Sequence, residues 1–158
     1  MVETKNSFHT PWPDLAGKLV PGGHVLPVRI YFEDTDFSGV VYHGSYIRFM
    51  ERGRSDFVRL IGIGHTGLND GEHGEPLVFA VRRISIDFLK PARIDDLLEV
   101  RTLVGEMGGA RLELKQSVLR DGETLVEADV TIVLVSRNGR ARRIPDSVRA
   151  RMDEAAAD

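Results

Sequence analysis

The chain has 158 residues, with 21 Lys and Arg against 24 Asp and Glu, and a formal net charge of −3 at pH 7. This slight acidity disfavours a nucleic-acid-binding protein, because such domains usually carry a strong basic excess. The absence of Cys excludes disulfides, zinc–thiolate sites and cysteine nucleophiles. The length and a hydrophobic content of 42% are typical of one globular domain with a substantial core.

Targeting and membrane-spanning segments are not predicted. Residues 1–27 lack the apolar stretch of a signal peptide. The longest apolar run, near residues 130–135, is far shorter than the ~20 residues that span a bilayer. The sequence therefore predicts a cytoplasmic protein without a transmembrane segment.

The first third of the chain predicts a strand followed by one long helix. Residues 1–26 are rich in Pro and Gly and predict an extension without regular structure. The β-branched and aromatic run at 28–33 predicts a strand, and residues 34–39 favour a turn. Apolar spacings of three and four predict a helix within 40–63, whose buried face would comprise Ile47, Met50, Arg54, Phe57, Leu60 and Ile61. Gly53 costs this helix about 1 kcal/mol relative to Ala, and we expect close approach of another backbone segment there.

The rest of the chain predicts an antiparallel meander. Glycines in 62–76 predict a mobile loop, and strand-like runs follow at about 77–89, 96–106, 110–120 and 124–136. In the third run the predicted buried positions alternate with charged ones, and they are Leu112, Leu114, Gln116 and Val118. The predicted domain spans 27–148, and a charged tail, helical or frayed, covers 149–158. The fold class is α+β, with the helix covering part of a five-stranded sheet and another subunit covering the remainder.

Chemistry-bearing residues concentrate between the first strand and the helix. Asp34 and Asp36 lie two residues apart in the predicted turn, and His43 follows near the helix start. A helix N-terminus offers unpaired N–H groups that stabilise a carboxylate or a developing oxyanion. An Asp, a His and such donors suffice to hydrolyse an activated ester without a Ser or Cys nucleophile.

Other interpretations of the same residues stay open at this point. An Asp just before a helix is commonly a cap, and a single His there is commonly a hydrogen-bonded structural residue. Asp34, Asp36, His43 and Glu51 could also be imagined as metal ligands, but no metal-site spacing is met, so no metal is predicted. The glycines form neither phosphate-binding motif, and the chain has no GxSxG elbow.

Two segments carry a resemblance to a known family. Residues 28–54 read VRIYFEDTDFSGVVYHGSYIRFMERGR, and residues 78–96 read VFAVRRISIDFLKPARIDD. Both resemble the hotdog-fold acyl-CoA thioesterases of the 4-hydroxybenzoyl-CoA thioesterase group, especially its YbgC-like branch, which is associated with the Tol-Pal system. The resemblance covers about residues 27–148, and EDTD-x-x-GVVYH is its specific motif.

The resemblance implies an architecture and an assembly. The long helix would be wrapped by the antiparallel sheet, and two subunits would join their sheets edge to edge, with dimers often pairing into tetramers. The active site would lie at the dimer interface, between the helix start of one subunit and the sheet of the other.

The resemblance also implies a reaction and roles for residues. Asp36 falls on the catalytic carboxylate, acting as general base or as nucleophile, and His43 falls on the histidine that orients substrate or water. Backbone N–H groups in the stretch Val41–His43, including those of Val41 and Tyr42, would stabilise the oxyanion, and the resemblance does not choose among them. Coenzyme A enters as part of the substrate, so no cofactor is expected. Its phosphates favour basic residues nearby, and the candidates are Arg82, Arg83, Lys90, Arg93 and Arg111.

Alternatives to hydrolysis remain on the same fold. The chain could be a non-catalytic module that binds acyl-CoA or an acyl carrier protein, although a binder has little use for a carboxylate beside an anionic cofactor. A hotdog hydratase is a further alternative, but the EDTD motif does not fit it. Acyl specificity is not predicted, and the candidate pocket residues are Phe37, Phe49, Met50, Phe57 and Phe79.

Overall fold

The structure, a computed structural model, describes residues 11–157. The elements in chain order are β1 (Lys18–Val20), β2 (Gly23–Arg29), a 3-10 turn (Phe32–Asp34), α1 (His43–Leu60), α2 (His65–Asn69), β3 (Leu77–Phe88), β4 (Leu97–Met107), β5 (Arg111–Arg120), β6 (Glu123–Ser136) and α3 (Asp146–Ala156). Residues 1–10 of the predicted extension lie outside the described residues.

Six strands form one antiparallel sheet in the order β1-β2-β4-β5-β6-β3. Tight turns connect β4, β5 and β6, whereas β3 pairs with β6 and forms the far edge. Helix α1 packs across the sheet and joins it in one apolar core. The α+β prediction is confirmed, and the bounds of β3 to β6 agree closely with those predicted. The count of five strands was wrong, because β1 adds a sixth.

The strand predicted at 28–33 lies earlier in the chain. It is β2, which begins at Gly23 and ends at Arg29, so the predicted boundary at residue 27 falls inside it. Backbone contact with the residues before β4 continues for one more position, where the Ile30 N–H donates to the Asp96 carbonyl at 2.9 Å. Pro27 is tolerated because β1 is too short to reach it, which leaves that edge of β2 unpaired.

Helix α1 buries a face slightly rotated from the predicted one. Met50 and Phe57 are buried as expected, whereas Ile47 and Leu60 are exposed. The other buried positions on the helix are Ser45, Tyr46, Phe49, Gly53 and Val58. These residues recur three or four positions apart, which keeps them on one side of the helix facing the sheet.

Gly53 and Gln116 mark the tightest contact between α1 and the sheet. A Cβ at Gly53 would lie 3.0 Å from the Val100 side chain of β4, so the expected close approach exists but involves side chains rather than backbone. Gln116 is buried on β5, and its Nε2 donates to the Met50 carbonyl at 3.0 Å and to Thr102 Oγ1 at 2.8 Å. A buried amide is stable here because its hydrogen bonds are made.

Two further segments are more ordered than predicted. The glycine-rich segment 62–76 contains the short helix α2, and its Ile63 and Leu68 are buried in the core, so the segment is not a loop throughout, as predicted. The tail forms α3, and its Val148 and Met152 reach the core. No helix in the described part of the chain is long and apolar enough to cross a membrane.

Candidate active site

The segment before α1 folds back on itself as a small hairpin. Thr35 and Val41 form an isolated antiparallel bridge, and the Asp36 N–H donates to the Val40 carbonyl at 2.9 Å. Gly39 closes the turn at a φ of +85°, a left-handed conformation that Gly adopts without steric cost. The hairpin therefore fixes Asp36 just before the start of α1.

Asp34 holds this hairpin to its surroundings. Its carboxylate is buried and accepts the Tyr31 N–H at 2.9 Å. Its main-chain carbonyl accepts the Tyr42 N–H at 2.9 Å and the Ser45 hydroxyl at 3.1 Å. Asp34 thus caps the 3-10 turn and ties the loop to the first turn of α1, which is a structural role.

Asp36, in contrast, is exposed at the surface. Its Oδ1 accepts hydrogen bonds from the Ser38 hydroxyl and from the Ser38 N–H, the latter at 2.8 Å. These two bonds hold the pKa of the Asp36 carboxyl below its usual range, and the nearby His43 lowers this pKa further. Asp36 is therefore ionised at neutral pH.

His43 is the first residue of α1 and is also exposed. Its ring lies 4.4 Å from the Tyr42 ring and 6.1 Å, edge-on, from the Phe88 ring at the end of β3. The carboxylate of Asp36 and the imidazole of His43 thus belong to one surface region, bordered by exposed aromatic side chains.

The amides predicted to stabilise an oxyanion are already used. The Val41 N–H donates to the Ala92 carbonyl at 2.8 Å, and the Tyr42 N–H donates to Asp34. These two amides are therefore not free to donate to an oxyanion in this structure, which leaves His43 from the predicted stretch. The next two amides, those of His43 and Gly44, have no acceptor within residues 11–157 and begin a helix, where N–H groups lack intrahelical partners.

Two of the predicted basic residues lie near this hairpin. Arg93 pairs with Val40 through an isolated bridge, and its N–H donates to Asp96 at 2.8 Å. Lys90 follows the end of β3 and forms an ion pair with Glu123 at 3.2 Å. Both side chains are exposed.

The other three basic candidates lie further away. Arg82 and Arg83 are exposed in the middle of β3. Arg111 pairs in register with Val133, whereas Phe88, beside His43, pairs with Val126. Seven residues of β6 separate these positions, which is about 23 Å at a strand rise of roughly 3.3 Å per residue. Within one chain, Arg111 is therefore not part of the Asp36 region.

The possible metal ligands do not come together. In the part of the chain that the structure describes, no three His, Asp or Glu side chains are close enough to hold a metal ion. Asp34 and Glu51, two of the ligands considered, lie in different environments: Asp34 is buried in its own turn, and Glu51 lines a separate cavity.

That cavity has a volume of about 150 Å³ and lies beside the middle of α1. Residues of all three helices and of strands β3, β5 and β6 line it. Most of its lining is apolar, including Phe79 and Val81 of β3. One wall is polar and consists of Glu51, Arg54, Ser55 and His65.

The sequence analysis did not identify this cavity. The helical periodicity placed Arg54 on the apolar face of the helix. A charged residue on that face was the feature of the sequence that could have indicated a cavity there. Phe79, a predicted pocket residue, does line the cavity. Phe37 is fully exposed, and the remaining predicted pocket residues, Phe49, Met50 and Phe57, are core side chains.

Comparison with known proteins identifies the family. The family model of the thioesterase superfamily matches residues 38–127. The chain belongs to this superfamily. The match begins at Ser38, two residues after Asp36. It contains His43 and the whole of α1, and it extends into β6.

Individual relatives agree with this thioesterase assignment. The chain is 38% identical over 124 residues to an acyl-CoA thioester hydrolase, YbgC, of Escherichia coli, which covers 77% of this chain and 90% of the relative. It is 37% identical over 117 residues to an acyl-CoA thioesterase, YbgC, of Haemophilus influenzae, covering 74% and 84%.

A solved structure agrees on the fold. The crystal structure of a probable thioesterase from Bartonella henselae is 46% identical, with a TM-score of 0.75, and covers 78% of this chain and 99% of the other. The hotdog fold implied by the sequence resemblance is confirmed. The relationship to YbgC proteins is confirmed as well.

Proposed function

We propose that this thioesterase hydrolyses acyl-CoA to a free carboxylic acid and coenzyme A, with Asp36 as its catalytic carboxylate. The observation that carries the proposal is the position of Asp36: ionised, exposed, and held beside His43 and two unpaired helix-start amides. The acyl-CoA hydrolases among the relatives support the choice of substrate class.

The geometry provides a site for the thioester carbonyl. The His43 and Gly44 N–H groups are the donors that we assign to its oxygen, and they would stabilise the negative charge that develops there. Gly44 suits this position because a Cβ would collide with the Tyr42 ring, which lies 2.5 Å away. His43 can then donate to the carbonyl or orient the attacking water.

Two routes for Asp36 remain open. As a general base, the carboxylate takes a proton from water while the water oxygen bonds to the carbonyl carbon. The carbon–sulfur bond then breaks, and the proton passes to the leaving thiolate. As a nucleophile, a carboxylate oxygen forms a mixed anhydride, the thiolate leaves, and water hydrolyses the anhydride. Both routes use only residues of this chain and water, so we propose no further cofactor.

We propose a homodimer joined through β3. This strand forms one edge of the sheet, and its exposed apolar side chains include Val78 and Val81. An unpaired edge of this length is a template for pairing with another strand. Two copies of β3 related by a two-fold axis would pair antiparallel and join both sheets. Pairing of such dimers into a tetramer is part of the proposal.

The remaining parts of the proposal concern the surroundings of the substrate. Lys90 and Arg93 are the basic residues best placed to contact the phosphates of coenzyme A. An acyl carrier protein is a possible alternative donor of the acyl group, and we place the protein in the cytoplasm, where acyl-CoA is made. A functional association with the Tol-Pal system follows from the relationship to YbgC proteins and belongs to the same proposal.

The decisive experiment is thiol release from a panel of acyl-CoA esters of different chain lengths. We expect Asp36→Asn to lower kcat by at least about 100-fold, the scale of a general base. Asn keeps the side-chain shape and can still accept the Ser38 N–H. Glu33→Gln is the matched control, because it removes another exposed carboxylate from the same loop, and its activity should stay within about twofold of the wild type.

Two results would contradict the proposal. Full activity in Asp36→Asn would exclude Asp36 as the catalytic carboxylate. Tight binding of acyl-CoA without thiol release by the wild type would instead favour the non-catalytic binding module.

A further inference from the structure

The cavity beside α1 is lined mostly by apolar side chains, but one of its walls is polar and contains the guanidinium of Arg54. Arg54 is half-buried there, and its Nη1 donates to Gln116 Oε1 at 2.9 Å. Gln116 is neutral, and Arg54 forms no ion pair with a carboxylate within residues 11–157. Burial lowers the pKa of the Arg54 guanidinium, which nevertheless keeps its charge.

This guanidinium has unused donor capacity. It carries five N–H groups, and the structure gives one of them a partner. Beside it, Ser55 Oγ and His65 Nε2 are 3.0 Å apart and satisfy each other. Glu51 lies on the same wall but is exposed and partly offsets the positive charge only through space. The wall therefore presents a cation with free donors to an apolar space.

The proposed dimer brings this space to an active site. Within one chain, eleven residues of α1 separate His43 from Arg54, about 16 Å at a rise of 1.5 Å per residue. Antiparallel pairing of two β3 strands about their midpoint places the partner subunit's Phe88 opposite Leu77. Because His43 contacts Phe88, the partner subunit's His43 approaches the end of β3 where Phe79 and the cavity lie.

We propose that the cavity binds the far end of the acyl group whose thioester lies in the partner's active site, and that Arg54 selects acyl groups ending in a carboxylate. The inference rests on the proposed function and on the β3 dimer. A cavity of 150 Å³ accommodates about six non-hydrogen atoms, since a cavity of that size holds one benzene molecule in another protein. The predicted substrates are therefore short dicarboxylic acyl-CoA esters.

The guanidinium on the polar wall of the cavity supports dicarboxylic acyl groups as the substrate class. A guanidinium and a carboxylate form two parallel hydrogen bonds, and these are strongest where water is excluded. The methylene groups of a short dicarboxylic chain would contact the apolar side chains of β3 and β5.

Two esters of equal shape test the proposal. Glutaryl-CoA and 5-methylhexanoyl-CoA have the same number of non-hydrogen atoms and the same branch at the far end, but only the first carries a charge there. We expect the wild type to prefer glutaryl-CoA in kcat/KM, and we expect Arg54→Met to lower that preference at least tenfold. Arg54→Lys should keep part of this preference. Lys retains the positive charge, but it lacks the planar guanidinium that forms two parallel hydrogen bonds with a carboxylate.

Arg59→Met is the matched control. Arg59 lies on the same helix and carries the same charge, but it is paired with Asp56 at 2.9 Å and does not line the cavity. Its preference for glutaryl-CoA should stay within about twofold of the wild type. An equal loss in both arginine variants would reduce the effect to net charge and overturn the proposal, as would an unchanged preference in Arg54→Met.

Binding separates this proposal from the proposed function. In the Asp36→Asn background, calorimetry should show glutaryl-CoA binding at least tenfold more tightly than 5-methylhexanoyl-CoA, and adding Arg54→Met should abolish the difference. If the wild type releases thiol from no ester of the acyl-CoA panel, the proposed function fails, while this binding ratio still decides the role of the cavity. Equal dissociation constants for the two esters would overturn the proposal that Arg54 selects acyl groups ending in a carboxylate.

Discussion

Polar side chains lie at the start of α1 and against its middle, in opposite surroundings. At the start, Asp36 and His43 are exposed and contact the core little. In the middle, Arg54 and Gln116 are inserted between the helix and the sheet and bond to each other. Substitutions in the first region should therefore change activity and leave stability almost unchanged, whereas substitutions in the second should change stability.

The largest expected effect on stability is at Phe57. This side chain is completely buried between α1 and the sheet, so Phe57→Ala removes its contacts and leaves a cavity. We expect a loss of about 3–5 kcal/mol in the free energy of unfolding, measured by urea denaturation. Phe32→Ala is the matched control, because the Phe32 ring is 82% exposed in the loop before α1, and it should change stability by less than about 0.5 kcal/mol. Similar losses in both variants would remove the distinction between the regions.

An intermediate effect is expected at Gln116. Gln116→Leu keeps the volume but leaves Arg54, Thr102 and the Met50 carbonyl without the partner that Gln116 supplies. The expected loss is about 1–3 kcal/mol. Lys115→Gln, on the opposite, exposed face of β5, should be nearly neutral in the same denaturation experiment. If Gln116→Leu leaves the free energy of unfolding unchanged, the hydrogen bonds of Gln116 contribute no net stability and only favour one packing of the core.

The smallest effect is a change of pH profile at Ser38. Its hydroxyl donates to the Asp36 carboxylate and favours the ionised form, which lowers the pKa of Asp36. Activity that needs this carboxylate therefore persists to a lower pH than an ordinary Asp would allow. Ser38→Ala raises the pKa, so the acid limb of kcat/KM should move to higher pH, while the melting temperature at neutral pH stays unchanged.

Thr66→Ala, which removes an exposed hydroxyl from α2, is the control for this profile. Its acid limb should coincide with that of the wild type. A shift to lower pH in Ser38→Ala would contradict the assignment of the limb to Asp36.

Periodicity predicted the elements that have a periodic environment. The strands β3 to β6 and helix α1 each pack one face against a single core, so their apolar residues repeat with the period of the element. Helix α2 was missed because it is short and lies among glycines, and its order comes from the burial of Leu68 rather than from local propensity. The extension was misjudged at β1 and β2, since β2 pairs with β4, some seventy positions later, and β1 pairs only with β2.

The sequence could predict which side chains belong to the candidate site, but not which backbone amides there are already hydrogen-bonded. Asp36 and His43 follow from a motif that is continuous in sequence. The acceptor of the Val41 N–H is Ala92, which the sequence places some fifty residues away, so nothing local shows that this amide is occupied. The cavity beside Arg54 requires six elements to converge, and that convergence exists only in three dimensions.

The order of strands in the sheet has a consequence for how the molecule is assembled from the unfolded chain. Strands β4, β5 and β6 are consecutive neighbours joined by tight turns, so they can pair with little loss of chain entropy. By contrast, β3 must find β6, where Leu77 pairs with Ser136 about sixty residues later, and such distant contacts form slowly. Strand β2, which precedes the EDTD motif, and strand β3, which follows α2, therefore pair with the two edges of a β4–β6 meander whose own contacts are local.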